Sequence, residues 1–303
     1  MPLLPTRSEL RAILLERGVT PKRSLGQNFL TDHNMLRFIA RAASLKKDDA
    51  ILEIGAGTGL LTALLCEQAG CVVAVEIDEA LHEICRERLG GAANVEFMRA
   101  DILDGKSALN GEVAARCREV LGRRGVSSLK VVSNLPYAVA TPAVLNLLES
   151  ELPIELFVLL VQEEIAQRFC AAPNSRDYGV AGILAQFLGR VEILRRVPPQ
   201  LFFPAPKVTS AVMRIHPSPP PLNTHDYDIF KNFIKILFSQ RRKTISKSLA
   251  GREIAFMTGK RTVAREEVIS ALSRLEMNPN ARPQELAPGR LIDLFRALGS
   301  EKT

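Results

Sequence analysis

From Ala50 onward the chain alternates short apolar runs with amphipathic stretches. The runs at 50–54, 71–76, 94–98, 129–133 and 155–161 have strand length and are rich in Val, Ile and Leu. Between them, apolar residues recur at helical spacing over 58–69, 79–89, 107–122, 141–149 and 162–170. Strands alternating with helices in this way predict a doubly wound, mostly parallel α/β sheet of Rossmann-like type. Two further strand-like runs, 191–197 and 208–215, are separated only by Pro198–Lys207. That gap is too short for a helical crossover, so the sheet is predicted to end in an antiparallel strand.

The flanks read differently. Arg7–Arg17 has the period of an amphipathic helix and is stopped by Gly18 and Pro21. A polar, basic segment follows, Lys22–Leu30, and Thr31 or Asp32 caps a second helix to about Ala43. Residues 1–45 thus form an N-terminal helical extension. At the other end, His216-Pro217-Ser218-Pro219-Pro220-Pro221 is too stiff for helix or strand interior. Beyond it the period is helical at 226–238, 240–250, 265–275 and 288–298. We place a domain boundary near 220, giving an α/β domain over 1–220 and a small helical domain over 221–303.

Composition narrows the classes. The 303 residues are 47% hydrophobic and 24% charged, as in a globular protein with room for one large domain and one small. Forty Lys and Arg against 33 Asp and Glu give a net charge of +7, which permits a polyanionic partner without demanding one. The five cysteines form no CxxC pair, which argues against a zinc site or disulfide framework and fits a reducing compartment. The four histidines lack ligand or triad spacing, so no metal is expected. Glu9 and Glu16 interrupt the N-terminal apolar residues, and no 18-residue apolar stretch exists; neither a signal peptide nor a membrane span is expected, and the cytoplasm is the expected location.

Two motifs carry the chemistry. The first strand runs into Gly55-Ala56-Gly57-Thr58-Gly59, a turn whose missing Cβ atoms let a ligand approach the backbone. Its spacing is GxGxG and position 60 is Leu, unlike the GxGxxG of dinucleotide folds, so a nucleoside cofactor without pyrophosphate is favoured. Glu76 ends the second strand and suits two ribose hydroxyls; the alternative is a solvent-facing strand end. Asp78 reads as a helix N-cap. Asp101, after the third strand, is placed to accept from an adenine amino group, or is a turn residue.

The second motif, Asn134-Leu135-Pro136-Tyr137, follows the strand at 129–133. An exocyclic adenine amine is a poor nucleophile because its lone pair is delocalised into the ring. The Asn134 side-chain oxygen and the Leu135 carbonyl are two acceptors for its N–H bonds, favouring a pyramidal nitrogen. Tyr137 offers a flat face to an extruded base. The two motifs together predict methyl transfer from S-adenosylmethionine to a base amine. Phe202, before Pro204, is a candidate for the base's other face and Lys207 for a neighbouring cation, with a hydrophobic plug as the alternative for Phe203. Arg241, Arg242 and Lys243, within a run of five cations from Lys235 to Lys247, suit phosphate contacts; the alternative is a solvated helix face.

The combination resembles the KsgA-type adenine N6,N6-dimethyltransferases of small-subunit ribosomal RNA, over about residues 20–298. The residues that carry it are Leu25–Leu30, Glu53–Gly59, Glu76–Asp78, Ala100-Asp101, Asn134–Tyr137, Pro173–Gly179 and Phe202–Val212. The resemblance implies a class I methyltransferase fold with a small C-terminal helical domain, and a cofactor site of Asn28, Leu30, Gly55, Gly57, Glu76, Asp101 and Asn134. It implies dimethylation of two adjacent adenosines in the 3′-terminal hairpin of small-subunit rRNA, within a pre-ribosomal particle, by a monomer. Large-subunit enzymes of the antibiotic-resistance type are close relatives. A non-catalytic pre-ribosome or DNA binding factor on the same fold is the alternative of a different class, opposed by the intact Gly55, Glu76 and Asn134 set. A nicotinamide oxidoreductase lacks its pyrophosphate contacts here. The segment 105–127 is longer and more charged than the family's and has no functional account.

Overall fold

A computed structural model describes residues 4–22, 25–105, 108–124, 126, 128–219, 222–256 and 259–299. Arg23 and Ser24 of the basic segment, Pro220 and Pro221 of the predicted linker, and Lys106, Ser107, Gly125 and Ser127 of the charged segment lie outside the described residues.

All seven predicted strands form one sheet: β1 (Ala50–Ile54), β2 (Cys71–Glu76), β3 (Val95–Arg99), β4 (Leu129–Asn134), β5 (Ile154–Gln162), β6 (Gly189–Val197) and β7 (Ser210–Pro217). Their order is β3-β2-β1-β4-β5-β7-β6. The first five run parallel, and β7 lies antiparallel to β5 with Val212 opposite Leu160. β1 and β2 are buried at every position, as strands covered on both faces must be, which is why they read as apolar runs interrupted only by Glu53 and Glu76.

The helices are α1 (Arg7–Glu16), α2 (His33–Ala42), α3 (Leu60–Gln68), α4 (Glu79–Leu89), α5 (Gly111–Arg124), α6 (Ala140–Leu148), α7 (Glu163–Cys170), α8 (Val180–Leu188), α9 (Thr224–Phe238), α10 (Ile245–Leu249), α11 (Arg265–Arg274) and α12 (Pro288–Gly299). Caps match their side chains. Thr6 and Glu9 form a capping box on α1, and Asp32 accepts from Met35 N at 2.7 Å to start α2. Asp78 accepts from Ala80 N and Leu81 N to start α4. None of the described helices is long and apolar enough to cross a membrane.

The chain divides into two compact units, Met1–Ala166 with Arg190–Pro217, and Gln167–Gly189 with Ser218–Thr303. The second unit thus takes in Gln167–Gly189, a stretch that sequence reading placed in the first domain. This unit contains α8, a helix that apolar periodicity does not predict. Its sequence, Val180–Leu188, is apolar almost throughout and has no polar face to mark a 3.6-residue period. It also contains an unforeseen hairpin, Glu253–Phe256 with Gly259–Thr262. Within the unit Phe230, Phe233, Phe256 and Phe295 pack as a ring cluster with centroids 5.3–6.5 Å apart. The helix predicted over 240–250 shrinks to α10, and residues 240–243 form a turn.

In the first unit, the topology reverses between β1 and β4. β2 lies on one side of β1 and β4 on the other, both parallel to it. Chain leaving β1 and chain leaving β4 therefore emerge side by side at one edge of the sheet. Ligand crevices form at such switch points.

Candidate active site

The glycine turn leaves β1 and the Asn134–Tyr137 segment leaves β4, so strand adjacency brings the two motifs together. The ladder between β1 and β4 runs to Leu52 opposite Val131. Past it, the buried Ser133 hydroxyl takes over. It donates to Ile54 O and accepts from Ile54 N at 3.3 Å. Gly55 has φ +71°, and a Cβ there would stand 2.8 Å from Pro136 Cγ. The proline thus packs directly on the bare glycine, and any side chain at 55 would separate the motifs.

A cleft of about 810 Å³, open mouth included, lies over this junction. Its walls include Asn28, Gly55, Gly57, Glu76, Asp101, Asn134, Leu135 and Tyr137, eight of the residues singled out from sequence. Leu30 lies instead in an adjoining recess of about 310 Å³, with Glu53, Thr58 and Asn134. Both spaces are lined by Phe29, Gly55, Gly57 and Asn134.

Glu76 is 5% exposed. Its Oε2 accepts from Gly57 N at 2.8 Å and its Oε1 from Asp78 N at 2.9 Å. Burial holds its carboxyl above the ordinary range, and these two backbone N–H groups only partly offset that. It is therefore not a solvent-facing strand end. Asp101 Oδ1 accepts from Leu103 N at 3.0 Å, so Asp101 shapes its own turn as well as lining the cleft.

Asn134 is oriented by the N-terminal segment. Its Nδ2 donates to Asn28 O at 3.1 Å, which leaves Oδ1 as the atom available to accept. Leu135 N donates to Leu160 O at 3.0 Å, holding the next peptide to β5. The Tyr137 hydroxyl shares a hydrogen bond of 2.7 Å with Ser210 Oγ on β7, which pins the ring. Gly26, at φ +64°, lies so close that a Cβ would meet Tyr137 N at 2.9 Å. Residues 25–29 accordingly form one wall of the cleft.

The stacking role read for Phe202 needs correction. Phe202 is 0% exposed and pairs with Leu30 in a two-residue antiparallel ladder, Phe203 opposite Phe29. Its ring is packed in the core and presents no face to the cleft, because strand alternation turns it inward. Phe203, read as a plug, is the more exposed of the two and carries the Arg7 guanidinium 5.8 Å from its ring centre. Lys207 is exposed and stands outside the residues lining the cleft. Arg241, Arg242 and Lys243 are exposed on the turn before α10, in the second unit, and not on a helix face. Arg241 reaches Arg176 O at 3.3 Å.

Sequence reading missed Ser133, Ser210, Glu53 and Thr58. Glu53 is 2% exposed, and its Oε2 has no hydrogen-bond partner among the described residues; nor has Thr58 Oγ1. Burial pushes the Glu53 carboxyl up to about 8. Between its ordinary value near 4.5 and 8, the folded chain holds a proton there that the unfolded chain has lost. Stability from this group is present at low pH and falls as pH rises through that window. Glu53→Gln removes the titration. In urea unfolding between pH 5 and pH 8, wild-type stability should fall relative to the variant by up to about 1.4 kcal/mol per pH unit. A constant difference would show that Glu53 titrates normally.

The site fits S-adenosylmethionine on its own geometry. A bare glycine turn meets a buried carboxylate suited to hydroxyl donors, and the recess beside it holds two buried polar atoms without partners. Comparison with known proteins agrees. Residues 18–282 match the model of the family described as ribosomal RNA adenine dimethylase. The chain is 36% identical over 300 residues to "Ribosomal RNA small subunit methyltransferase A" of Halothermothrix orenii, covering 98% of this chain and 94% of that protein. It is 38% identical over 280 residues to the protein of that name from Pelotomaculum thermopropionicum, covering 92% and 91%. Among solved structures, 23S rRNA methyltransferase ErmE superposes with a TM-score of 0.63 at 27% identity, over 89% of this chain and 99% of ErmE. A dimethyladenosine transferase from Plasmodium falciparum gives a TM-score of 0.68 at 23% identity, over 88% and 95%, and shares the fold. The chain belongs to the ribosomal RNA adenine dimethylase family, enzymes that use S-adenosylmethionine to methylate adenine in ribosomal RNA.

Proposed function

We propose that this enzyme dimethylates two adjacent adenosines in the 3′-terminal hairpin of small-subunit rRNA, within a pre-ribosomal particle in the cytoplasm. The observation that carries the reading is near-full-length identity of 34–38% to proteins named for the small subunit, against 27% to ErmE. Five free cysteines are consistent with a reducing compartment.

When bound, S-adenosylmethionine supplies an electrophilic methyl group on a sulfonium. The chain's own residues supply position and electrostatics. Glu76 would accept from the ribose hydroxyls, held still by its bonds to Gly57 N and Asp78 N. Asp101 would accept from the adenine amine. Gly55 and Gly57 would let the backbone come close, and Asn28, Leu30 and Asn134 would hold the methionine end. For the target base, Asn134 Oδ1 and the Leu135 carbonyl accept the two N–H bonds of the amine, and Tyr137 stacks on the ring. The amine proton is not abstracted beforehand, so no general base is required; as the C–N bond forms the methyl–sulfur bond would break, and the proton would then pass to solvent.

The test is to incubate the protein with labelled S-adenosylmethionine and immature small subunits, then map modified adenosines. Label confined to large-subunit rRNA would replace this reading with the resistance-type one. No label in any rRNA, with the cofactor bound, would favour a binding factor.

Arg241, Arg242 and Lys243 are proposed to hold RNA phosphates and not bases. Replacing all three by Ala should weaken RNA binding across sequences and reduce the salt slope by up to about two to three units. A filter-binding titration from low to high salt that gives an unchanged slope would leave the turn without an RNA role.

A further inference from the structure

We infer that the first unit carries a second RNA-backbone surface, built from Arg7 and Arg11 on α1, Arg37 and Arg41 on α2, and Arg195 on the edge strand β6. This rests on the proposal that the substrate is ribosomal RNA. Each of the five side chains is exposed, and none forms an ion pair with a carboxylate among the described residues.

The fold gathers them from three distant stretches of chain. Arg7 and Arg11 are one turn apart on α1, as are Arg37 and Arg41 on α2, so each pair shares a helix face. The starts of the two helices meet where His33 Nε2 hydrogen-bonds Pro5 O at 3.0 Å. Arg195 lies 5.2 Å from the Phe38 ring centre, joining β6 to α2, and Arg7 lies over Phe203. A guanidinium held over a ring at this distance keeps N–H groups for phosphate oxygens. Local carboxylates have other work. Glu9 accepts from Thr6 N at 2.7 Å and Asp32 from Met35 N at 2.7 Å, both at helix starts. Glu192 pairs with Arg214 at 2.8 Å and Glu163 with Arg196 at 2.7 Å.

Continuity with the cleft selects the partner. Phe203, under Arg7, is paired with Phe29, and Phe29 lines the cleft. A chain that delivers one base into the cleft must run its neighbouring backbone over adjacent surface. Exposed guanidiniums on α1, α2 and β6, with Arg7 joined to the cleft through Phe203 and Phe29, match a phosphate backbone in charge and in bidentate geometry. A protein or membrane partner would lack this link to the cleft.

Two variants test the surface, Arg37→Gln/Arg41→Gln and the same change at all five arginines. RNA affinity is measured against salt, alongside methylation kinetics and calorimetry with S-adenosylmethionine. The expected result is a salt slope shallower by up to about 0.9 per arginine lost, for contacts to duplex. KM for RNA should rise while kcat at saturating RNA and cofactor affinity stay constant. An unchanged slope and KM in a folded variant would overturn the inference. So would loss of binding to phosphatidylglycerol–phosphatidylcholine vesicles with RNA binding intact, which assigns the surface to membranes. If the five-fold variant fails to fold, the double variant decides, since Arg37 and Arg41 are exposed on a helix surface. Absence of rRNA methylation by the wild-type protein would instead refute the proposed function and leave the salt measurement standing.

Discussion

Replacing Asn134 by alanine should slow methyl transfer by roughly 100- to 1,000-fold in single turnover, the usual cost of about 2.7–4 kcal/mol for one preorganised acceptor or donor. The structure sharpens the reason. Asn134 Nδ2 is already engaged with Asn28 O, so the amide cannot rotate freely and its oxygen is held as an acceptor. In the proposed role, such preorganisation would act on the reacting amine, whose charge develops only during transfer, and so should appear in the chemical step. Cofactor affinity should shift far less. Asn134 also lines both the main cleft and the Leu30 recess, which makes some effect on binding expected. Mono-methylated adenosine should accumulate at short times, because the amine must turn between the two transfers. Rapid-quench methylation at the wild-type rate would reduce Asn134 to a turn residue.

The second large effect concerns Glu76. Glu76→Ala should weaken S-adenosylmethionine binding by roughly 1.5–3 kcal/mol, about 10- to 150-fold, as a charge-assisted acceptor is lost. The same change strips partners from Gly57 N and Asp78 N, each a buried donor worth about 1–3 kcal/mol when left unpaired. Stability should therefore fall with affinity. Calorimetry that finds the same Kd in the variant, with its fold intact, would remove Glu76 from the cofactor site. Tight binding of NAD by the wild-type protein would point to a different cofactor class altogether. Glu76→Gln is not a conservative control, because its amide would set an N–H group against one of those two backbone donors.

Much of this protein is legible along the chain, and for one reason. Strands covered on both faces are mostly apolar, so Ala50–Ile54 and Cys71–Glu76 announce themselves locally, each interrupted by a single carboxylate, Glu53 and Glu76. The glycine turn and the Asn134–Tyr137 segment announce themselves as well, because each needs particular residue types within a few positions. Strand alternation then predicts the order of chain events, and Asp78 as a cap follows from its place before α4.

The tertiary structure decided the rest. Ser133 reaches Ile54 across 79 residues, and Tyr137 reaches Ser210 across 73. Neither serine has a neighbour in sequence that marks its partner, since both bonds depend on which strands lie together and in what register. Phe202 and Phe203 are identical in type, and only the ladder with Phe29 and Leu30 turns the first inward. Glu53 belongs to a recognisable motif, yet its raised carboxyl value comes from burial that no local pattern reports. The arginines of α1, α2 and β6 are unremarkable one by one along the chain. They become a surface because helix starts and an edge strand pack together. Local composition determined the elements and the candidate reacting groups; packing between distant segments determined which side chains line the cleft, which are held still, and which share a field.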